Sequence, residues 1–246
     1  MSKIDIEQQV GITETGEIAF NLEAFNNLRK ANIIITKRLT NGLIEKLLEY
    51  KDKCILHLTV TGMGGSKLEP FVPTMIETKN KFDELISLGF PIKQVVLRID
   101  PIIPTSKGVQ TALKVIKLFK DSGIKRIRWS CIDMYNHVKD RFKENGIKLP
   151  FETFHANKVK INALYTVLES ICYINDFELE SCGEPGFEPS PCISEKDLNI
   201  LGLSSEITLT GSANQRDSCS CPENKVQLIR EKPGRCKNSC LYCYWK

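Results

Sequence analysis

The chain of 246 residues is 41% hydrophobic and 26% charged, which is ordinary for a globular protein long enough to bury a large core. No stretch approaches about eighteen consecutive apolar residues, so we expect neither a membrane span nor a membrane partner. The formal net charge of +4 is too small to indicate nucleic-acid binding by itself. The first residues lack the basic and apolar run of a signal peptide, so the predicted location is the cytoplasm.

Segments typical of strands and of helices alternate from residue 32 onward. The β-branched run at 32–36 predicts a strand, and residues 40–50 then carry apolar side chains at helical spacing, with Thr40 as the N-cap. The later predicted strands are 54–61, 94–100, 124–132, 177–181 and 225–229. The later predicted helices are 73–88, 109–120, 154–173 and 194–201, the last with Ser194 and Asp197 as a capping box.

This alternation, with short loops between the elements, predicts an α/β fold built from parallel βαβ units. Right-handed crossovers would close the strands into a full or partial (β/α) barrel. The chain shows no linker, repeat or low-complexity segment, so we predict one domain over residues 1–246, with a cysteine-rich C-terminal segment at 182–246. The stretch at 12–20 around Thr15 and Gly16 is interpreted as a hairpin.

Polar side chains gather where the predicted strands end. In parallel α/β folds the active site lies at the carboxyl ends of the strands, and polar groups there are costly unless they serve a ligand or each other. His57 shares a strand face with two of these residues, and a hydrogen-bonded core histidine is its alternative. The predicted ligand-binding residues are Thr36, Lys37, Thr59, Thr61, Arg98, Asp100, Ser130, Asp133 and Glu184. The alternative is that they are exposed loop residues or members of local ion pairs.

Ten cysteines in a protein expected to be cytoplasmic indicate metal or redox chemistry rather than disulfides. Three of them lie among apolar neighbours and are expected to be buried hydrophobes: Cys54, Cys131 and Cys172. A C-x3-C-x2-C triplet close to the chain end is formed by Cys236, Cys240 and Cys243. Three thiolates at this spacing can hold a [4Fe-4S] cluster whose fourth iron stays open to a small molecule, and a zinc site is the alternative.

Four further cysteines form a possible second metal site: Cys182, Cys192, Cys219 and Cys221. Four thiolates satisfy zinc tetrahedrally or hold a closed [4Fe-4S] cluster, and the residues alone do not choose between them. A closed site here would also fix the tail against the rest of the fold. The alternative is that these cysteines bind no metal.

The triplet, with the aromatic Tyr242 before its last cysteine, resembles the cluster loop of the radical S-adenosylmethionine (SAM) superfamily. The order of several short segments resembles an uncharacterised bacterial family with a radical-SAM-like cysteine cluster at the C-terminus, related to spore photoproduct lyase. The Gly-Gly-Glu that often holds the SAM amine in the superfamily does not follow the strand at 32–36. The segments that carry the resemblance are 36–37, 58–62, 68–73, 98–102, 130–135, 182–184, 192–193, 219–221 and 236–243.

The resemblance implies a radical SAM barrel that is permuted, so that the cluster loop comes last instead of after the first strand. It implies an enzyme that binds SAM at the open iron and cleaves it reductively to a 5′-deoxyadenosyl radical. An electron donor such as flavodoxin or ferredoxin is then expected. Kinship to spore photoproduct lyase makes a nucleic acid, such as damaged DNA, the leading expected substrate, and a peptide or a small metabolite is the alternative. Cys131 is the candidate hydrogen-atom donor.

The tail is basic, which bears on the binding partners expected for the protein. A cationic patch beside a cluster could meet a phosphate backbone, or it could offset the charge of bound thiolates or face water. A non-catalytic zinc or iron-sulfur module that binds nucleic acid or a protein is the alternative function, and an iron-sulfur electron carrier is a third. The basic residues concerned are Lys225, Arg230, Lys232, Arg235, Lys237 and Lys246.

Overall fold

The computed structural model describes residues 5–213, 218–229 and 236–245. At its centre lies a seven-stranded sheet in which every strand pair is parallel. The strands are β1 (Val10–Ile12), β2 (Ala31–Thr36), β3 (Cys54–Thr59), β4 (Val95–Ile102), β5 (Arg126–Cys131), β6 (Glu178–Ser181) and β7 (Lys225–Gln227). The predicted α/β class and parallel strands are thereby confirmed.

The helices are α1 (Asn41–Glu49), α2 (Met75–Ser87), α3 (Ser106–Phe119), α4 (Asn136–Glu144), α5 (Lys158–Ile174) and α6 (Glu195–Leu201). Two predicted caps are confirmed. The Thr40 hydroxyl accepts a hydrogen bond from the backbone N–H of Leu43 at 3.2 Å, and Ser194 forms a capping box with Asp197 at the start of α6. Within the described part of the chain, no helix is long and apolar enough to cross a membrane.

The strand order is β6-β5-β4-β3-β2-β1-β7, so the first six strands follow one another and β7 pairs with β1. This is the neighbour order of a barrel opened between β6 and β7, because the described residues carry no hydrogen-bonded pair that joins these two strands. The sheet itself is observed, and the barrel stays a prediction. The consequence for function is that the cysteine-rich end of the chain is drawn back to its first strand.

The two faces of the sheet are covered differently. Successive strand residues alternate between the faces, so Ile34 packs on one side and Ile33 on the other. Helices α1, α2, α3 and α5 pack on the first side in one large core. The fully buried members of that core include Leu43, Leu47, Leu56, Phe82, Leu85, Leu97, Val115, Phe119, Ile127 and Leu168.

The opposite face is covered by α6 and the loops around it. Its apolar core includes Ile55 and Val96 of the sheet with Ile193 and Leu198 of the covering segment. Ion pairs add to this packing: the guanidinium of Arg126 on β5 donates to Asp197 of α6 and to Glu180 of β6, both at 2.6 Å. The second side of the sheet is therefore partly polar.

Three elements differ from the prediction: one is absent, one was not predicted and one begins later. The hairpin at 12–20 is absent, because β1 pairs in parallel with β2 and β7 and then leads into a turn and a short 3₁₀ helix at Ile18–Phe20. Helix α4 was not predicted, since it buries only Val138 and Phe142. Helix α5 begins later than expected because the side chain of Asn157 caps it.

Candidate functional site

A cavity of about 780 Å³ opens at the carboxyl ends of the strands. Its wall combines residues at the ends of β1 to β5 with the C-terminal segment and Cys182 after β6. Seven of the predicted ligand-binding residues line it: Thr36, Lys37, Thr59, Arg98, Asp100, Ser130 and Asp133. The remaining two, Thr61 and Glu184, support the wall from behind: Thr61 donates to Glu69 at 2.6 Å, and Glu184 accepts from the backbone N–H of Cys131 at 2.6 Å.

All three cysteines of the triplet border this cavity, and each is partly exposed. The loop folds in two tight turns. The backbone N–H of Ser239 donates to the backbone carbonyl of Cys236 at 3.3 Å, and that of Cys243 donates to the backbone carbonyl of Cys240 at 3.1 Å. Three soft thiol donors are thus presented to one space from eight residues of chain. Such donors suit iron-sulfur or zinc binding.

Glu17 anchors the beginning of the cysteine loop. Its carboxylate accepts hydrogen bonds from the side-chain amide of Asn238 at 3.0 Å and from the backbone N–H of Lys37 at 2.9 Å. The hydroxyl of Thr36 donates to the same carboxylate. The side chain of Arg38 donates to the Asn238 amide oxygen at 3.1 Å. The loop is therefore tied to the end of β2 through a buried acid that sequence reasoning did not select.

Glu69 anchors the end of the loop. It is 1% exposed and accepts from the hydroxyl of Tyr242, from the ammonium of Lys37 at 2.9 Å and from Thr61. The Lys37 ammonium also donates to the Tyr242 hydroxyl at 2.8 Å, and the backbone N–H of Leu241 donates to a loop carbonyl nearby at 3.0 Å. The tyrosine that the resemblance singled out therefore positions the loop.

Arg141 of α4 holds the last residues of the chain that the structure describes. Its guanidinium donates to the backbone carbonyls of Cys243 at 2.7 Å and of Trp245 at 2.9 Å. A planar guanidinium can serve two acceptors at once, which fixes the direction of the segment. The loop thus has three anchors: Glu17 in the segment after β1, Glu69 in the loop after β3, and Arg141 of α4.

The rest of the polar wall is an ion-pair network. Arg98 and Asp100 on one face of β4 pair with each other, and the hydroxyl of Ser130 donates to Asp100. Asp133 pairs with the Nδ1 atom of His155 at 2.9 Å. Cations and carboxylates therefore both face the cavity, as recognition of a zwitterionic ligand requires.

Charge and burial set the protonation of the thiols. Burial raises the pKa of Cys240 to about 12, against the opposing charge of Lys37. Burial also raises the pKa of Cys131, which lines the cavity as a neutral thiol. Burial lowers the pKa of Lys37, but the charges of Glu69 and Cys240 outweigh it, so the pKa lies above its usual value. A metal ion would replace the thiol protons.

The structure also brings the second set of cysteines together. Cys182 and Cys221 both interact with Cys192, and Cys219 interacts with Cys221. These contacts lower the pKa of Cys192, and the hydrogen bond with Cys221 lowers that of Cys219 to about 6. Among the described residues, no three or more histidine, cysteine or acidic side chains are arranged to hold a single metal ion.

The expectations for the other residues singled out in the sequence are confirmed for some residues and wrong for others. Cys54, Cys131 and Cys172 are buried, which confirms that expectation. His57 is fully buried, and its ring nitrogens have no hydrogen-bond partner among the described residues. The interpretation of His57 as a hydrogen-bonded core histidine is therefore wrong.

The basic patch of the tail is only partly described. Lys225 is buried in an ion pair with Glu14 at 3.0 Å, so it does not belong to an exposed patch. Lys237 lies over the ring of Phe20. Four basic residues of this patch lie outside the described part: Arg230, Lys232, Arg235 and Lys246.

Sequence reasoning missed the side chains that hold the loop: Glu17, Glu69, Arg141 and Asn238. A signal existed for Glu69 and Asn238, which belong to segments that carry the resemblance. The others come from 3₁₀ and loop segments or from α4, and only long-range contacts show their role.

A protein-family model described as "Domain of unknown function (DUF1848)" matches residues 24–245. The match covers most of the chain, so the protein belongs to the DUF1848 family. A search of curated proteins found no match.

Proposed function

We propose that the protein is a radical SAM enzyme whose cluster is held by Cys236, Cys240 and Cys243. The observation that carries the proposal is the convergence of all three thiols on one cavity at the carboxyl ends of parallel strands. A partial (β/α) barrel, permuted so that its cluster loop comes last, and kinship to spore photoproduct lyase belong to the same proposal.

The residues present fit such a cluster. Three thiolates leave one of four irons without a protein ligand, and Lys37 beside the loop adds a positive charge to a region that would become strongly negative. The bound cluster would supply the electron that cleaves SAM, and an electron donor such as flavodoxin or ferredoxin would supply it in turn. The cavity volume of about 780 Å³ lies in the range of small-molecule sites.

The wall of the cavity would bind SAM through complementary charge. Lys37 and Arg98 offer cations to the methionine carboxylate, whereas Asp100 and Asp133 offer acceptors to the amine and the ribose hydroxyls. The remaining hydroxyl groups of the wall, on Thr36, Thr59 and Ser130, would complete the polar contacts. These roles are proposals for residues that line one space.

Cys131 would act as a hydrogen-atom donor. Its thiol borders the cavity and burial keeps its pKa high, so the S–H bond is retained at neutral pH. The thiol hydrogen would pass to a substrate-centred radical, and the electron donor together with a solvent proton would restore the thiol. Cys131→Ala should then stop product formation while SAM cleavage continues, which product analysis by mass spectrometry measures.

The test of the proposed function is SAM cleavage by anaerobically purified, iron-reconstituted protein. The protein should be brown, with absorbance at about 400 nm, and dithionite should release 5′-deoxyadenosine from SAM. Cys240→Ala should abolish both signals, whereas Cys172→Ala, a buried cysteine of α5 far from the cavity, should keep both. Repeating the reaction with intact and damaged DNA tests whether a nucleic acid is the substrate.

A colourless protein that carries stoichiometric zinc after the same treatment would overturn the proposal. It would favour instead a non-catalytic metal-binding module for a nucleic acid or protein partner. Cluster formation without any SAM cleavage would favour an electron carrier. Cleavage that survives in Cys240→Ala would show that the ligand assignment is wrong.

A further inference from the structure

Four cysteine side chains meet in the covering layer of the sheet, next to the cavity but separate from the triplet. They come from two loops, Cys182 and Cys192 from the stretch after β6, and Cys219 and Cys221 from the stretch before β7. Three of them are at most 8% exposed and the fourth, Cys219, is half-buried. The backbone N–H of Cys192 donates to the sulfur of Cys221 at 3.2 Å.

Hydrogen bonds join the two loops on both sides of these sulfurs. The hydroxyl of Ser218 donates to the carbonyl of Gly183 at 2.6 Å, and the hydroxyl of Ser220 donates to the carbonyl of Pro189 at 3.0 Å. Neither loop has regular secondary structure where they meet. The pairing therefore depends on side chains, and the sulfur atoms lie at its centre.

Buried nitrogen atoms that lack a hydrogen-bond partner among the described residues lie near the same sulfurs, on Arg98, Arg128 and His57. Arg98 donates to the sulfur of Cys182 at 3.8 Å, and its Nε and NH1 groups have no hydrogen-bond partner among the described residues. The NH1 group of Arg128 and both ring nitrogens of His57 also lack one there. Burying such a group without a partner is energetically unfavourable. An anionic centre between them would remove that cost.

The described side chains do not already stand around a single ion position, but we propose that Cys182, Cys192, Cys219 and Cys221 close on a second metal centre through four thiolates, either one zinc ion or a closed iron-sulfur cluster. Both centres carry net negative charge with four thiolates, which the guanidinium groups of Arg98 and Arg128 offset. This centre would complete the join between the β6 loop and the segment leading to β7. The proposal does not rest on the proposed function, since the triplet contributes nothing to this site.

Apolar packing explains these four cysteines poorly. The buried cysteines that serve as packing residues, Cys54 and Cys172, lie singly among aliphatic side chains of the helix-covered face. Cys192 and Cys221 also belong to an apolar core, on the opposite face of the sheet, but the four cysteines of the second set in addition interact with one another near two arginines. A core would gain more from aliphatic side chains at these positions, because thiols bury less apolar surface and leave the guanidinium groups unsatisfied.

The experiment uses the full chain with the triplet removed by C236S/C240S/C243S. This variant is purified anaerobically, one portion reconstituted with iron and sulfide and another with zinc, and then desalted against a chelator. We expect about one zinc, or about four iron with four sulfide, retained per chain. Retained zinc identifies a structural zinc site, and retained iron with sulfide identifies a closed cluster. A chain that retains neither metal overturns the proposal.

Ligand assignment is tested in the same background. Cys219→Ala removes a half-buried ligand at little packing cost and should release the metal at least tenfold faster to the chelator. Cys54→Ala, on the opposite face of the sheet, is the matched control and should retain it. Equal retention in these two variants would contradict the assignment. Wild-type SAM cleavage is measured separately, so failure of one proposal is distinguishable from failure of the other.

Discussion

Glu69 is the residue at which the cavity wall and the cysteine loop meet. Its carboxylate binds the Lys37 ammonium, the Tyr242 hydroxyl and the Thr61 hydroxyl, and it is almost fully buried. Burial raises the pKa of Glu69, but the nearby Lys37 charge and the three hydrogen bonds outweigh it, so the pKa lies below its usual value. The carboxylate is therefore ionised at neutral pH and holds its partners by charge.

Removing this carboxylate should destabilise the fold strongly. Glu69→Ala leaves the Lys37 ammonium largely buried without its counter-charge, and we expect a loss of about 3 kcal/mol in the free energy of unfolding. Urea denaturation measures it. Glu49→Ala, which breaks an exposed helical pair with Lys46, is the control and should cause no measurable change. A loss for Glu69→Ala as small as the control's would contradict the role given to this residue.

Helix α4 contributes to the cavity wall and contacts the last described residues of the chain. It was not predicted from the sequence, because two apolar residues in nine give a weak periodic signal. Its contribution is Arg141, which reaches two backbone carbonyls of the C-terminal segment. Backbone carbonyls carry no sequence signature, so this contact is visible only in the tertiary structure.

With the proposed cluster bound, loss of this clamp should speed the release of iron more than it lowers the stability of the fold. In Arg141→Ala we expect the reconstituted iron to be lost several-fold faster to a chelator, with the free energy of unfolding lowered by only about 1–2 kcal/mol. Absorbance decay after chelator addition is the measurement. Lys143→Ala, exposed on the same helix, should behave as the wild-type protein does. Identical decay rates in both variants would show that Arg141 does not hold the loop.

At the scale of the whole molecule, the pairing of β7 with β1 brings the C-terminal part of the chain back to its first strand. Gly11 lies at this junction and has no space for a side chain. A Cβ atom there would approach the Asn32 side-chain oxygen to 2.2 Å, and Asn32 is fully buried with that oxygen bonded to the backbone N–H of Arg29 at 2.8 Å. The neighbour cannot yield without losing its own hydrogen bonds.

Gly11→Ala should therefore weaken both the sheet and the retention of metal by the C-terminal segment. We expect a loss of about 2 kcal/mol from overpacking, measured by thermal or urea unfolding, together with faster iron release. Gly42→Ala is the contrast: its Cβ meets only the flexible end of Leu22 at 3.0 Å, and alanine favours helix α1. Equal stability of the two variants would show that the β1–β7 junction tolerates a side chain.

Local chemistry in the sequence determined the alternation of strands and helices, the caps at Thr40 and Ser194, and the spacing of the cysteine triplet. Each depends on residues within a few positions of one another, so spacing alone reveals it. The polar strand ends were predicted for the same reason, since parallel strands bring their carboxyl ends to one edge.

Only the tertiary structure decided what surrounds those residues. It brought Glu17, Glu69 and Arg141 to the cysteine loop, placed β1 beside β7, and gathered four cysteines from two loops into one buried group. The contacts join residues about 30 to 220 positions apart, and hydrogen bonds to carboxylates or carbonyls leave no periodic trace in the chain. The local pattern thus specifies which candidate ligands exist, and long-range packing specifies which of them lie close together.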